Sequence, residues 1–198
     1  MTKKNDILPA ISGLAREIAQ QSGYTYAAGI WIEEIRRGLA WHSSCSATAK
    51  ESDEHHAPSW SWAFWPTSPG IEFMMRPGAL YADMDEGKAT LIRYKIIPED
   101  DDKFGRVKSG YIDLRGRGIS MRSWLEQNHL IFNYISEETF LFSIFTEDDD
   151  STIYTYALLL VQVENSPKET YRRVGLITFW PREGYSMDTW DKKEVHII

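Results

Sequence analysis

Ala57-Pro58-Ser59-Trp60-Ser61-Trp62-Ala63-Phe64 is the stretch on which the fold reading turns. Large and small residues alternate along it. In a strand, Trp60, Trp62 and Phe64 fall on one face and Ser59, Ser61 and Ala63 on the other. Each ring can bury about 150–250 Å², so the aromatic face must meet a core or line a pocket. Pro58 has no N–H to donate and suits the first position of a strand. The spacing predicts the central aromatic strand of a β-rich domain.

Downstream of this stretch nearly everything reads as extended. Strands are predicted over 71–75, 80–84, 89–97, 110–117, 130–135, 139–145, 153–163, 172–180 and 195–198. Turn signals separate them: Pro66-Thr67-Ser68-Pro69-Gly70, Asp85-Glu86-Gly87-Lys88, Pro98 to Asp102, Glu147 to Asp150, and Asn165-Ser166-Pro167. Upstream, Leu8, Ile11, Leu14, Ala15 and Ile18 form an apolar stripe at helical spacing, which predicts a helix over 7–22. Asp6 or Asn5 caps it, and Gly23 stops it. A weaker helix is predicted over 25–37, a short strand over 39–42, and a polar loop over 43–56. The fold class is therefore mainly β: an antiparallel β-barrel or two-sheet sandwich of about eight or more strands, in one domain over 1–198, with one or two N-terminal helices within about 7–38.

Composition narrows the function. With 198 residues the chain supports one full core. Hydrophobic residues make up 42%, aromatic residues 13% and charged residues 26%, values of a globular, strand-rich chain. The net charge of −7 weighs against nucleic acid, which is held largely by Lys and Arg on phosphates, and against an anionic membrane surface. Cys45 is the only cysteine, so no intrachain disulfide forms, which fits a reducing compartment. No apolar run is long enough to span a bilayer, and the first residues lack a signal core. The expectation is a soluble, cytoplasmic protein.

Several residue groups invite chemical readings. His55-His56 beside Asp53 and Glu54 lack metal-ligand spacing, because adjacent residues in an extended chain point apart. Asp100-Asp101-Asp102 and Asp148-Asp149-Asp150 lack the alternating ligands of a calcium loop and read as acidic hairpin tips. Cys45, with His42 three residues away, has no identifiable orienting group and reads as an inert thiol. Gly116 and Gly118 lack a phosphate-loop context and read as a bend or bulge in a curved sheet. No metal and no cofactor is expected. In Tyr111-Ile112-Asp113-Leu114-Arg115-Gly116-Arg117, the residues Tyr111, Asp113, Arg115 and Arg117 share a face. That face is either a solvated outer surface with cross-strand ion pairs or the polar wall of a cavity.

The second reading gives a candidate site. Trp41, Trp60, Trp62 and Tyr111 would bound a cavity for an apolar small molecule, with His42, Asp113 and Arg115 as its polar groups. His42 or Asp113 would polarise or deprotonate the bound molecule. Trp41 and His42 are neighbours on a strand, so at most one of them faces inward.

Four stretches occur in a telling order: Leu8-Pro9-Ala10-Ile11-Ser12-Gly13-Leu14-Ala15, Ala28-Gly29-Ile30-Trp31, Arg37-Gly38-Leu39-Ala40-Trp41 and Ala57 to Ala63. Later come Phe104-Gly105-Arg106-Val107, Asp113-Leu114-Arg115-Gly116, Tyr171 to Leu176 and Val195-His196-Ile197-Ile198. Together they resemble the region that follows the catalytic domain in fungal heterokaryon-incompatibility (HET) proteins. The family's amino-terminal HET domain, similar to TIR domains, has no counterpart in this chain, so the resemblance carries over no catalytic residue. It implies a downstream module standing alone. Two functions follow as expectations. One is a small-molecule-binding barrel, by architectural analogy with the cofactor-free cyclases and Diels–Alderases of fungal secondary metabolism. The other is a non-enzymatic protein-interaction module derived from an allorecognition protein.

Overall fold

The computed structural model describes residues 6–43, 57–65, 71–73, 88–128, 138–149, 152–166, 169–179 and 187–198. The predicted strands over 80–84 and 130–135, Cys45, and His55-His56 lie outside the described residues. Helix α1 (Ile7–Ser22) is followed by β1 (Tyr26–Ala27), β2 (Ile30–Trp31), α2 (Ile35–Leu39), β3 (Trp41–Ser43) and β4 (Ile71–Phe73). Then come β5 (Thr90–Pro98), β6 (Val107–Ser120), α3 (Met121–Asn128), β7 (Phe140–Asp149), β8 (Thr152–Gln162), β9 (Thr170–Phe179) and β10 (Asp191–Ile197). The fold is mainly β with an N-terminal helix, as the hydrophobic periodicity predicts. Contacts divide the chain into two compact units. The first comprises Met1–Met74, Arg93–Ile112 and Ile198; the second comprises Met75–Ile92 and Asp113–Ile197.

In the first unit, α1 matches its predicted bounds and ends at Gly23, whose φ of 73° is the left-handed conformation open to glycine. Leu8 and Ala15 of the stripe are buried, whereas Leu14 and Ile18 are exposed. The predicted helix over 25–37 is not formed. Residues 26–31 make a hairpin instead, with Tyr26 opposite Trp31 and Ala27 opposite Ile30. Its two loop residues, Ala28 and Gly29, have φ of 46° and 97°, the positive pair that a tight hairpin turn demands. The apolar spacing of Ile30, Trp31 and Ile35 is shared between a strand end and the one-turn helix α2. β3 pairs with β4 antiparallel.

The aromatic stretch is also not a strand. Residues 57–65 form turns that lead into a single 3₁₀ turn, Trp62–Phe64. Strand alternation fails: Ser59, Ser61 and Ala63 are all buried, whereas of the aromatic set Trp60 is buried and Trp62 and Phe64 are half-buried. The serines decide the conformation. The Ser61 hydroxyl accepts from the Ala63 N–H at 3.1 Å and donates to the Ala28 carbonyl at 2.6 Å, offering the backbone a turn in place of a ladder. The Trp62 indole donates to the Gly29 carbonyl at 2.7 Å. A Cβ on Gly29 would lie 2.7 Å from that same indole nitrogen, so the hairpin turn and Trp62 require glycine here. Ser59 donates through its N–H, at 3.1 Å, and through its hydroxyl to the carbonyl of Ile198. The stretch is thus a clamp on the β1–β2 turn and on the last residue of the chain.

In the second unit, β6 from Asp113 onward, β7, β8 and β9 run antiparallel in sequence order, and β10 joins β9 in parallel. β10 also pairs with β6, so the sheet partly closes on itself into a ring. Gly118 lies opposite Phe142, and Phe142 opposite Leu158. Phe142 and Leu158 are fully buried. Two glycines of β6 make room for rings: a Cβ on Gly116 would meet Phe142 at 2.8 Å, and one on Gly118 would meet Phe140 at 2.3 Å. On the other face of β6–β9, Ile119, Leu141, Ala157 and Leu159 pack with Met121 and Trp124 of α3 and with Met187 and Trp190. Trp124 meets Phe179 edge-on at 5.3 Å.

Candidate functional site: a polar cleft at one end of the ring

Because neighbouring strands alternate in direction, the end of β6, the start of β7, the end of β8 and the starts of β9 and β10 lie together. A cleft of about 460 Å³ opens there, entirely within the second unit. Ser120 stands at its edge and caps α3, accepting from the Ser123 N–H at 3.1 Å and donating to the Ser123 hydroxyl at 2.8 Å. Backbone pairing of Met121 N–H with the Thr139 carbonyl at 2.8 Å joins α3 to the entry of β7. From α3, Gln127 reaches the rim, where its amide oxygen accepts from the Thr189 hydroxyl at 3.3 Å. Glu138, Thr139 and Phe140 line the wall from β7 and its entry, and Gln162 lines it from β8.

Lys193 is the fixed centre of the cleft. Its ammonium lies 3.0 Å from the Glu169 carboxylate. It sits over the rings of Phe140, at 4.9 Å, and Tyr171, at 5.7 Å, close enough for cation–π attraction. The two rings stack with centroids 5.8 Å apart. Burial alone would lower the Lys193 pKa. Hydrogen bonds to Tyr171 and Glu169, with the charge of Glu169, outweigh it, and the pKa is raised. The lining therefore offers one held ammonium, the carboxylates of Glu138, Glu169 and Asp191, and a majority of neutral hydroxyls and amides.

None of the seven residues singled out from the sequence lines this cleft. In the first unit Trp41 and Trp60 are fully buried, and Trp41 meets Trp65 edge-on at 6.4 Å. Trp62 is held by Gly29, His42 Nε2 lies 3.3 Å from a Glu72 carboxylate oxygen, and the Arg93 guanidinium lies 5.9 Å from the Tyr111 ring centre. In the second unit Asp113 pairs with Nδ1 of His196, and Arg115 reaches Glu194 at 2.7 Å. Arg117 donates to the carbonyls of Met187 and Trp190, each at 3.1 Å. Asp113 and Arg115 thus stand in cross-strand pairs between β6 and β10.

Lys193, Glu169 and Tyr171 carry no motif in the sequence; only the pairing of β9 with β10 brings them together. α3 did have a signal. Ser120 precedes Met121, Trp124 and Leu125, a cap followed by apolar residues at helical spacing. Compared with known proteins, the chain matches no family model, no curated protein and no solved structure.

Proposed function

We propose that this protein binds a small polar molecule in the cleft at the end of the β6–β10 ring. One observation carries the reading: side chains from five strands and a helix, most of them polar, line one volume of about 460 Å³, around a lysine held by a carboxylate and two rings. Ligand sites of small molecules fall in this size range and use a few fixed polar groups for orientation. If cofactor-free cyclase or isomerase chemistry follows binding, as the architectural analogy suggests, Tyr171 and the carboxylates Glu138, Glu169 and Asp191 are the cleft groups that give or take a proton. The test is a fragment screen by protein-observed NMR. Fragments that perturb Ser120, Phe140 and Lys193 together, and lose that effect in Lys193→Met, support the cleft. Hits scattered over the surface refute it.

A second reading, a protein-interaction module, is favoured by α1. Leu14 is 65% exposed and Ile18 39% exposed on that helix, the apolar exposure that partner-binding surfaces show. The resemblance to HET-family proteins supports the same reading.

A further inference from the structure

We infer that the ligand of this cleft is a neutral polyhydroxylated compound of sugar size, an inference that rests on the cleft being a binding site. The lining sets opposite demands. An anion suits Lys193 but meets three carboxylates, Glu138, Glu169 and Asp191. A cation suits those carboxylates but meets the Lys193 ammonium, which already occupies the seat formed by Glu169 and the Phe140 and Tyr171 rings. That seat is what a ligand ammonium would use, and the protein fills it with its own side chain. A hydroxyl escapes both conflicts, because it donates to a carboxylate and accepts from an ammonium at once. Several hydroxyls on a small ring can pair with the ammonium and the carboxylates together. The remaining polar side chains, such as Ser123 and Gln162, both donate and accept and add no charge.

The experiment is a titration of the full chain, followed by NMR shifts of cleft residues and by calorimetry. Four probes are used: glucose, cellobiose, inorganic phosphate and spermidine. A saccharide is expected to shift cleft resonances and saturate. Lys193→Met is expected to weaken it about tenfold, as is Asp191→Asn, which leaves the Lys193–Glu169 pair in place and serves if the first variant is poorly folded. Cleft binding by phosphate or spermidine in preference to both sugars would overturn the ligand class and leave the cleft as a site. If no probe shifts the cleft while fragments of the earlier screen do, the class is likewise overturned. If neither probes nor fragments bind there, the cleft reading falls together with the inference.

Discussion

The clamp of residues 57–65 and the cleft around Lys193 are both built from aromatic rings and small polar groups, yet they do opposite things with them. In the clamp, polar atoms are committed to backbone: Ser61 to Ala28, Trp62 to Gly29, Ser59 to Ile198. Each of these bonds fixes one segment of chain against another within the first unit. In the cleft, the polar groups are side chains meeting side chains, Lys193 with Glu169 and Thr189 with Gln127. These partners are exchangeable, because a ligand can replace them without unfolding a turn. Aromatic content therefore locates rigidity in this protein, and convergence of side-chain polar groups locates a site.

Replacing a ring of the clamp is the strongest way to break this contrast. Trp60 is completely buried, so Trp60→Ala is expected to lower stability by about 3–5 kcal/mol through lost burial and a residual cavity. The urea midpoint measures it. Lys193→Met, by comparison, removes a pair whose Glu169 side chain is 60% exposed, and exposed pairs contribute about 0–1 kcal/mol. An unmoved midpoint in Trp60→Ala would take the clamp out of the architecture. Ser61→Ala comes next. It strands the buried Ala28 carbonyl and the Ala63 N–H, at a cost of about 1–3 kcal/mol, with no change in ligand binding at the cleft. A loss of cleft binding with stability intact would reverse the assignment of roles.

The mainly β class, α1 to its last residue and most of the strands could be read from periodicity and turn signals, because these depend on neighbours in sequence. The clamp could not. Ser-Trp-Ser-Trp alternates like a strand, and only the tertiary partners of Ser61 and Trp62, some thirty residues upstream, tip it into a turn. Tyr26 to Trp31 failed for a related reason: the Ala28-Gly29 turn needs positive φ at alanine, which the sequence does not announce. The cleft was illegible in another way. Nothing in the sequence links Glu169 and Tyr171, at the start of β9, with Lys193 until β10 joins β9 in parallel. Gly116 and Gly118 read as a bend or bulge; they lie within β6, and what they admit, the rings of Phe142 and Phe140, needed the register.

Alkaline pH acts on both regions with a smaller effect and the same sign. Burial pushes the Tyr26 phenol up to about 12, above the unfolded value of about 10. Its stabilisation of the folded state is complete below about pH 10 and is lost as the pH rises through about 12. Lys193, also raised in the folded state, contributes fully below its unfolded value of about 10.4 and loses its contribution as the pH passes the raised one. Thermal melts from about pH 9 to about pH 12 should therefore show falling stability. Tyr26→Phe should flatten that fall without affecting the cleft, and Lys193→Met should flatten it while weakening ligand binding about tenfold. Equal slopes in all three proteins would remove both groups from the explanation.

The smallest expected effect is at Arg115, and it tests whether charge or packing closes the ring. Arg115 and Glu194 meet at 2.7 Å between β6 and β10, but their side chains are 65% and 59% exposed. Water and salt screen such a pair, and holding two long side chains in one geometry costs rotamer freedom, so Arg115→Ala should change stability by about 0–1 kcal/mol, less at high salt. One residue pair along, Asp113 is 7% exposed and is bound to His196. Asp113→Asn therefore disturbs a group shielded from water and should cost more than Arg115→Ala, because its change of charge is less screened. The packing argument is direct: Val195 and Ile197 of β10 and Leu114 of β6 are almost wholly buried, and they stay in place in both variants. If Arg115→Ala instead opens the ring, seen as fast hydrogen exchange along β10 together with a loss above about 2 kcal/mol, the exposed ion pair and not the apolar interior holds the closing strand.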